Sequence, residues 1–157
     1  MKIGMFIHSN TGNTYSVAEK LQNKLIAGGH TVVMKKLEPV GGENTNENNI
    51  NNIKFEPLPD VSGYDALIFG APVRGMSISP VLAAYLSKIA TLKNQKVDLY
   101  VTQYFPYPWM GGKHAISQMK KICEDKGATV TKTGIVNWKN KKREQLITEV
   151  VDQLGNK

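Results

Sequence analysis

The chain of 157 residues is 41% apolar and 21% charged, carries a formal net charge of +7, and contains one cysteine. That length suits one domain over residues 1–157, able to bury about two-thirds of its unfolded surface. No apolar run approaches the roughly 20 residues of a membrane span, the N-terminus lacks a signal peptide's long apolar stretch, and a lone Cys123 excludes an internal disulfide, so a cytoplasmic protein without membrane contact is expected.

Lys2 to Ile7 is a near-continuous apolar run and predicts a strand covered on both faces. Ala18, Leu21 and Leu25 follow at helical spacing, and Gly28-Gly29 closes that helix. A second strand is expected over Thr31 to Leu37, where Lys35 and Lys36 suit a sheet edge with one wet side. The segment from Glu38 to Ser62 is Asn-rich, contains Gly41-Gly42, Pro57 and Pro59, and shows no helical stripe; it reads as a solvated irregular connection. Ala66 to Gly70 is a third, wholly apolar strand. Ser79-Pro80 supplies an N-cap and first residue for a helix carrying Leu82, Tyr85, Leu86 and Ile89.

The fourth strand is expected over Val97 to Tyr104, followed by a helix whose stripe is Ala115, Ile116, Met119, Ile122 and Cys123. That spacing assigns Cys123 to packing rather than chemistry. Ala128 to Val136 is the fifth strand, with Thr129, Thr131 and Lys132 marking a second edge. A final stripe of Ile147, Val150, Val151 and Leu154 ends the chain's pattern. Residues 113–157 hold ten Lys and Arg against five Asp and Glu, but Lys139, Lys141, Lys142 and Arg143 form only a short cluster at a helix start. Without aromatic interleaving or a recognised motif, that cluster reads as a solvated helix end, and no nucleic-acid partner is expected.

Strands alternating with helices predict an α/β, doubly wound, five-stranded parallel sheet. Placing the polar second and fifth strands at the edges gives the order 2-1-3-4-5, with a ligand crevice at the carboxyl ends of strands one and three. The turn at that crevice is Ser9-Asn10-Thr11-Gly12-Asn13-Thr14. Hydroxyls, backbone N–H groups and a helix N-terminus converge there on an anion such as a phosphate. An ordinary turn capped by Asn13 or Thr14 would use the same residue types. The turn lacks the Gly-Lys-Ser/Thr ending of nucleoside triphosphatases and the spaced glycines of dinucleotide folds. It also lacks a receiver domain's acidic pair and a phosphatase cysteine; it suits a phosphate that is held, not transferred. Scattered histidines and one cysteine offer no metal-ligand spacing, and His8 is left out of the site as a packing residue.

Two further loops sit at the same end. Pro72, Val73, Arg74, Gly75 and Met76 follow the third strand. Gln103, Tyr104, Phe105, Tyr107, Trp109, Gly111 and Gly112, with Pro106, Pro108 and Met110 among them, follow the fourth. Exposed aromatics in a Pro- and Gly-rich loop call for a cover, and a planar ring is a natural one; packing of the rings on each other is the alternative. Gly111-Gly112 admits a close backbone approach.

The string Ser9 to Thr14 resembles the phosphate loop of flavodoxins, a Thr/Ser-x-Thr-Gly-x-Thr sequence after the first strand, and the likeness extends along the whole chain. The resemblance implies a flavodoxin-like fold and one non-covalent FMN. Its phosphate would be held by Ser9, Asn10, Thr11, Asn13 and Thr14, with Gly12 permitting the turn, and its ring by the other two loops. Electron carriers of the family are typically acidic, whereas this chain is basic and its ring loops lack Asp and Glu. Three readings therefore stand: a carrier serving a redox partner protein, an NAD(P)H-dependent quinone reductase of the same fold, and a flavin-free binding module. Nothing in the composition selects an oligomeric state.

Overall fold

In the computed structural model, which describes residues 1–42, 50–107 and 109–157, the apolar runs pair side by side. Strands β1 (Lys2–Ile7), β2 (Thr31–Lys36), β3 (Ala66–Pro72), β4 (Lys96–Gln103) and β5 (Thr129–Asn137) form one all-parallel sheet in the order β2-β1-β3-β4-β5. This is the doubly wound order expected from strand composition. β3 runs two residues beyond its apolar stretch because its pairing with β4 continues to Pro72 opposite Thr102.

Parallel neighbours require crossovers. α1 (Asn13–Ala27), α2 (Pro80–Lys88) and α3 (Gly112–Asp125) provide three of them, and α4 (Arg143–Leu154) follows β5. α2 starts as its sequence demands: the Ser79 hydroxyl accepts from the Leu82 N–H at 3.3 Å and Pro80 occupies the first turn.

The twofold alternation of β1 builds two cores. Ile3, Met5 and Ile7 pack with Val17, Leu21 and Leu25 of α1 and Ile147, Val150 and Leu154 of α4. Phe6 points the other way, with Phe69, Leu82 and Tyr85. Each such side chain contributes about 1.5–3 kcal/mol on full burial. Cys123 lies in this second core, and burial, with Glu124 nearby, pushes its thiol up to about 12, so it packs and is no nucleophile.

The described part of the connection from β2 to β3 is irregular and largely exposed, as expected, but two of its side chains anchor it in the core. Residues 43–49 lie outside the described residues; beyond them a single 3-10 turn, Ile50–Asn52, precedes Ile53 and Phe55, both buried against α2. The Phe55 ring meets Tyr85 edge-on at 5.6 Å, and the Tyr85 hydroxyl donates to the Pro59 carbonyl at 2.6 Å. Apolar residues two apart bury one side of an extended segment, a pattern that a search for helical stripes passes over. Among the described residues no helix is long and apolar enough to cross a membrane.

Where β4 meets β5 the register slips between Val97 and Asp98. The fully buried Asp98 carboxylate accepts the Lys132 N–H at 3.1 Å, together with the Thr131 hydroxyl and the Lys157 ammonium. It supplies an acceptor that the bulge removes from the ladder. Asp98→Ala is therefore expected to lower the unfolding free energy by about 3 kcal/mol in urea titration. A loss below about 1 kcal/mol would mean that the bulge holds itself without the carboxylate.

Candidate functional site

Parallel strands direct their carboxyl ends, and the loops that follow them, to one end of the sheet. The loop after β1 turns into α1 through Gly12, a left-handed residue (φ 91°) in the N-cap position that offers no side-chain acceptor to the first turn. Asn13 and Thr14 are thus inside the helix and neither is its cap. The Ser9 hydroxyl accepts the Tyr15 N–H at 3.3 Å, while Thr11 stands exposed at the tip. Gly12 itself brings no capping side chain to the positive end of the helix dipole, and Ser9 supplies an acceptor there from the loop.

Thr14 is buried beneath this turn and held twice by β4. Its hydroxyl bonds the Thr102 hydroxyl at 2.7 Å, and its carbonyl accepts the Tyr100 hydroxyl at 2.8 Å. Tyr100 reaches it by lying across Gly70, where a Cβ would overlap the ring. Burial drives the Tyr100 phenol far above its ordinary value, so it stays protonated and remains a donor.

A cleft of about 250 Å³ opens between the three loops. Asn10, Thr11 and Asn13 form one wall and Pro72, Val73 and Arg74 the next, while Thr102, Gln103, Tyr104 and Trp138 complete it. Ser9, Asn10 and Gly12 also line a larger cavity of about 480 Å³ toward β2, where the Lys36 ammonium sits 4.0 Å from the Tyr15 ring. The loop after β1 is therefore a ridge between two hollows.

After β3 the backbone folds into a tight hairpin in which Arg74 and Ser77 exchange two hydrogen bonds of 3.0 Å. Gly75 (φ 55°) and Met76 (φ 63°) form its tip, both left-handed, the signature of a type I′ turn. Met76 stands where Gly or Asn is preferred, and a Cβ on Gly111 would lie 2.7 Å from the Met76 Cα. Gly111 thus lets the hairpin close against the start of α3.

Three carboxamides shape the loop after β4. Gln103 Nε2 donates to the carbonyls of Phe105 and Tyr107, Asn137 Nδ2 to Phe105 at 3.1 Å, and Asn140 Nδ2 to Pro106 at 3.0 Å. Gln103 Oε1 is buried without a partner and abuts Gly112, where a Cβ would fall 2.7 Å from it. With its carbonyls held inward the loop turns its rings outward: Trp109 is 69% exposed and Tyr104 64%, with Phe105 and Tyr107 also exposed. Tyr107 and Trp109 lie parallel within 4°, their centroids 6.0 Å apart, and Tyr104 meets Phe105 edge-on. The rings do pack in pairs, as the alternative reading of the sequence has it, yet this leaves them uncovered. Pro108 lies outside the described residues.

Of the residues singled out from the sequence, eight line the cleft. Thr14, Gly111 and Gly112 are buried, Ser9 and Gly12 line the larger cavity instead, and Gly75, Met76, Phe105, Tyr107 and Trp109 do not line the cleft. Sequence reasoning missed Thr102, Trp138 and two cations: the Lys139 ammonium sits 4.9 Å from the Tyr104 ring and the Arg143 guanidinium 5.0 Å from the Trp138 ring. The signal was available, because the residues after a fifth parallel strand must emerge at the same end as the others.

No family model and no curated protein matches the chain. Solved structures do. The two-electron reduced flavodoxin of Megasphaera elsdenii superposes with a TM-score of 0.63 at 23% identity, covering 96% of this chain and 98% of its own. An azoreductase of Bacillus anthracis gives 0.64 at 18% identity, over 99% and 97% of the two chains. The Fusobacterium nucleatum flavodoxin bound to flavin mononucleotide gives 0.64 at 14% identity, over 98% and 96%. The chain has the flavodoxin-like fold.

The Thr14 clamp yields a test. Tyr100→Phe strips the donor from a buried carbonyl and is expected to cost about 1–2 kcal/mol of stability in urea titration, with faster amide exchange in the first turn of α1. Stability and exchange equal to those of the unaltered protein would mean that Tyr100 only fills space.

Proposed function

We propose that the chain binds one FMN non-covalently and acts in the cytoplasm as an electron carrier for a redox partner protein. The observation that supports this most directly is the start of α1: an N-terminus capped by left-handed Gly12, with exposed Thr11 beside it, opens on the same cleft as an outward-facing aromatic loop. The first feature suits a terminal phosphate and the second a planar ring. The flavodoxin of F. nucleatum, which shares the fold, is bound to flavin mononucleotide. When bound, FMN supplies one- and two-electron chemistry.

The chain's own residues bind and orient in this reading. The Thr11 hydroxyl, the carboxamides of Asn10 and Asn13 and the amides of the first turn of α1 hold the phosphate. Tyr104, Tyr107 and Trp109 offer flat apolar faces that keep water from a ring laid against them. Arg74 sets a positive charge on the β3 side of the cleft, with no carboxylate in residues 72–76 or 103–112 to oppose it.

A second reading, an NAD(P)H-dependent quinone reductase, draws support from that absence of acids and from the azoreductase that shares the fold. A flavin-free module would need the loops to cover their own rings, and the exposure of Trp109 and Tyr104 weighs against it.

The purified protein should be yellow and release FMN on denaturation; a colourless protein that refuses added FMN would overturn the proposal. Thr11→Ala removes one hydrogen bond to a charged phosphate, about 1.5–3 kcal/mol, so the FMN dissociation constant should rise about ten- to a hundredfold. An unchanged constant would reduce Thr11 to a turn residue. Arg74→Ala should lower the potential of the second electron, because a nearby cation favours the reduced anion; equal potentials would place the guanidinium away from the ring. Turnover with NADH or NADPH and a small quinone above about one per second would select the reductase.

A further inference from the structure

We propose that the aromatic face around the cleft docks a protein whose own redox centre is surrounded by acidic residues. The inference rests on the redox reading for the nature of the partner and on charge for its sign. Residues 72–79, 103–118 and 137–143, which follow β3, β4 and β5 at this end of the sheet, contain no Asp or Glu, whereas Glu38 after β2 lines the separate cavity on the other side of the first loop. They do contain Arg74, Lys113, Lys139, Lys141, Lys142 and Arg143. The fold distributes these cations on both flanks of the aromatic loop. The hairpin carrying Arg74 closes against Gly111 at the start of α3, which puts Arg74 and Lys113 on one flank. On the other, Asn137 and Asn140 bond the carbonyls of Phe105 and Pro106, drawing Lys139, Lys141 and Lys142 alongside.

The described residues place no carboxylate within ion-pair distance of Lys113, Lys139, Lys141 or Lys142, and all four are exposed. Glu144, the first acid after the cluster, is already engaged by Lys20 and Arg143. Between the flanks stand Met76, Tyr104, Phe105, Tyr107 and Trp109, five of the nine large apolar side chains exposed among the described residues. An apolar centre rich in Tyr and Trp inside a charged polar rim is the anatomy of a protein–protein interface. Cations on both flanks select an acidic partner, guide its approach and repel a basic one. A single planar ligand in the cleft would cover rings but leave the two flanks of lysines facing solvent.

The test uses the full chain with its flavin content read from the visible spectrum. An acidic plant-type [2Fe–2S] ferredoxin serves as probe and basic cytochrome c as its opposite. Association measured by calorimetry, and ferredoxin-driven flavin reduction by stopped flow, should both weaken about tenfold or more as ionic strength rises from about 0.02 M to about 0.3 M. The variant Lys113→Glu/Lys141→Glu/Lys142→Glu should bind ferredoxin at least about tenfold more weakly at low salt, gain affinity for cytochrome c, and keep the same flavin spectrum. Ferredoxin binding that ignores salt and the three reversals overturns the proposal, as does no binding at all. If NADPH oxidation alone responds to the reversals, the cations serve a dinucleotide and the docking site is overturned. Calorimetry does not depend on colour, so a flavin-free preparation would defeat the FMN reading while still scoring the docking result.

Discussion

The two bonds that β4 makes to Thr14 set the rest of the site. A helix N-terminus can hold an anion only if it is fixed against the sheet, and a short loop containing Gly12 cannot fix it alone. Tyr100 and Thr102 do so from two strands away, passing over β3 at Gly70, where no side chain fits. One side of the cleft is thereby tied to the strand whose loop forms the opposite side. The distance between the first turn of α1 and the aromatic loop is then a property of the sheet.

The opposite side is built on a different principle. Its loop contains Pro and Gly and little apolar surface turned inward, so hydrophobic burial does not hold it. Carboxamides from the ends of β4 and β5 grip successive carbonyls instead, and the rings project because the backbone faces inward. The hairpin after β3 accepts a left-handed Met76 at its tip, a conformation of roughly 1–2 kcal/mol for a side-chain-bearing residue. Local strain of that kind persists where the surroundings over-determine it, here through the contact with Gly111.

The strand order was legible in the sequence because parallel strands differ in composition according to burial: Ala66 to Gly70 is apolar throughout, whereas Lys35, Lys36, Thr129 and Thr131 mark edges. The loop of Ser9 to Thr14 was legible because it combines a turn with a helix start. What escaped was whatever depends on two distant segments at once. Thr102 reads as a strand residue until Thr14 is placed beside it, and Lys139 as a solvated charge until Tyr104 lies under it. Ile53 and Phe55 escaped for another reason: they alternate as in a strand, but over too few residues, among Asn and Pro, for a periodicity search to reward.

The carboxamide anchoring of the aromatic loop has a chemical consequence. Gln103, Asn137 and Asn140 neither gain nor lose protons, so the tethers that present Tyr104 to Trp109 hold without any charge of their own. Ageing can break one of them: deamidation of Asn140 would replace a donor with a carboxylate facing the Pro106 carbonyl, and the loop would lose its outermost tether, while the acceptor that Asn140 offers the Lys142 N–H would remain.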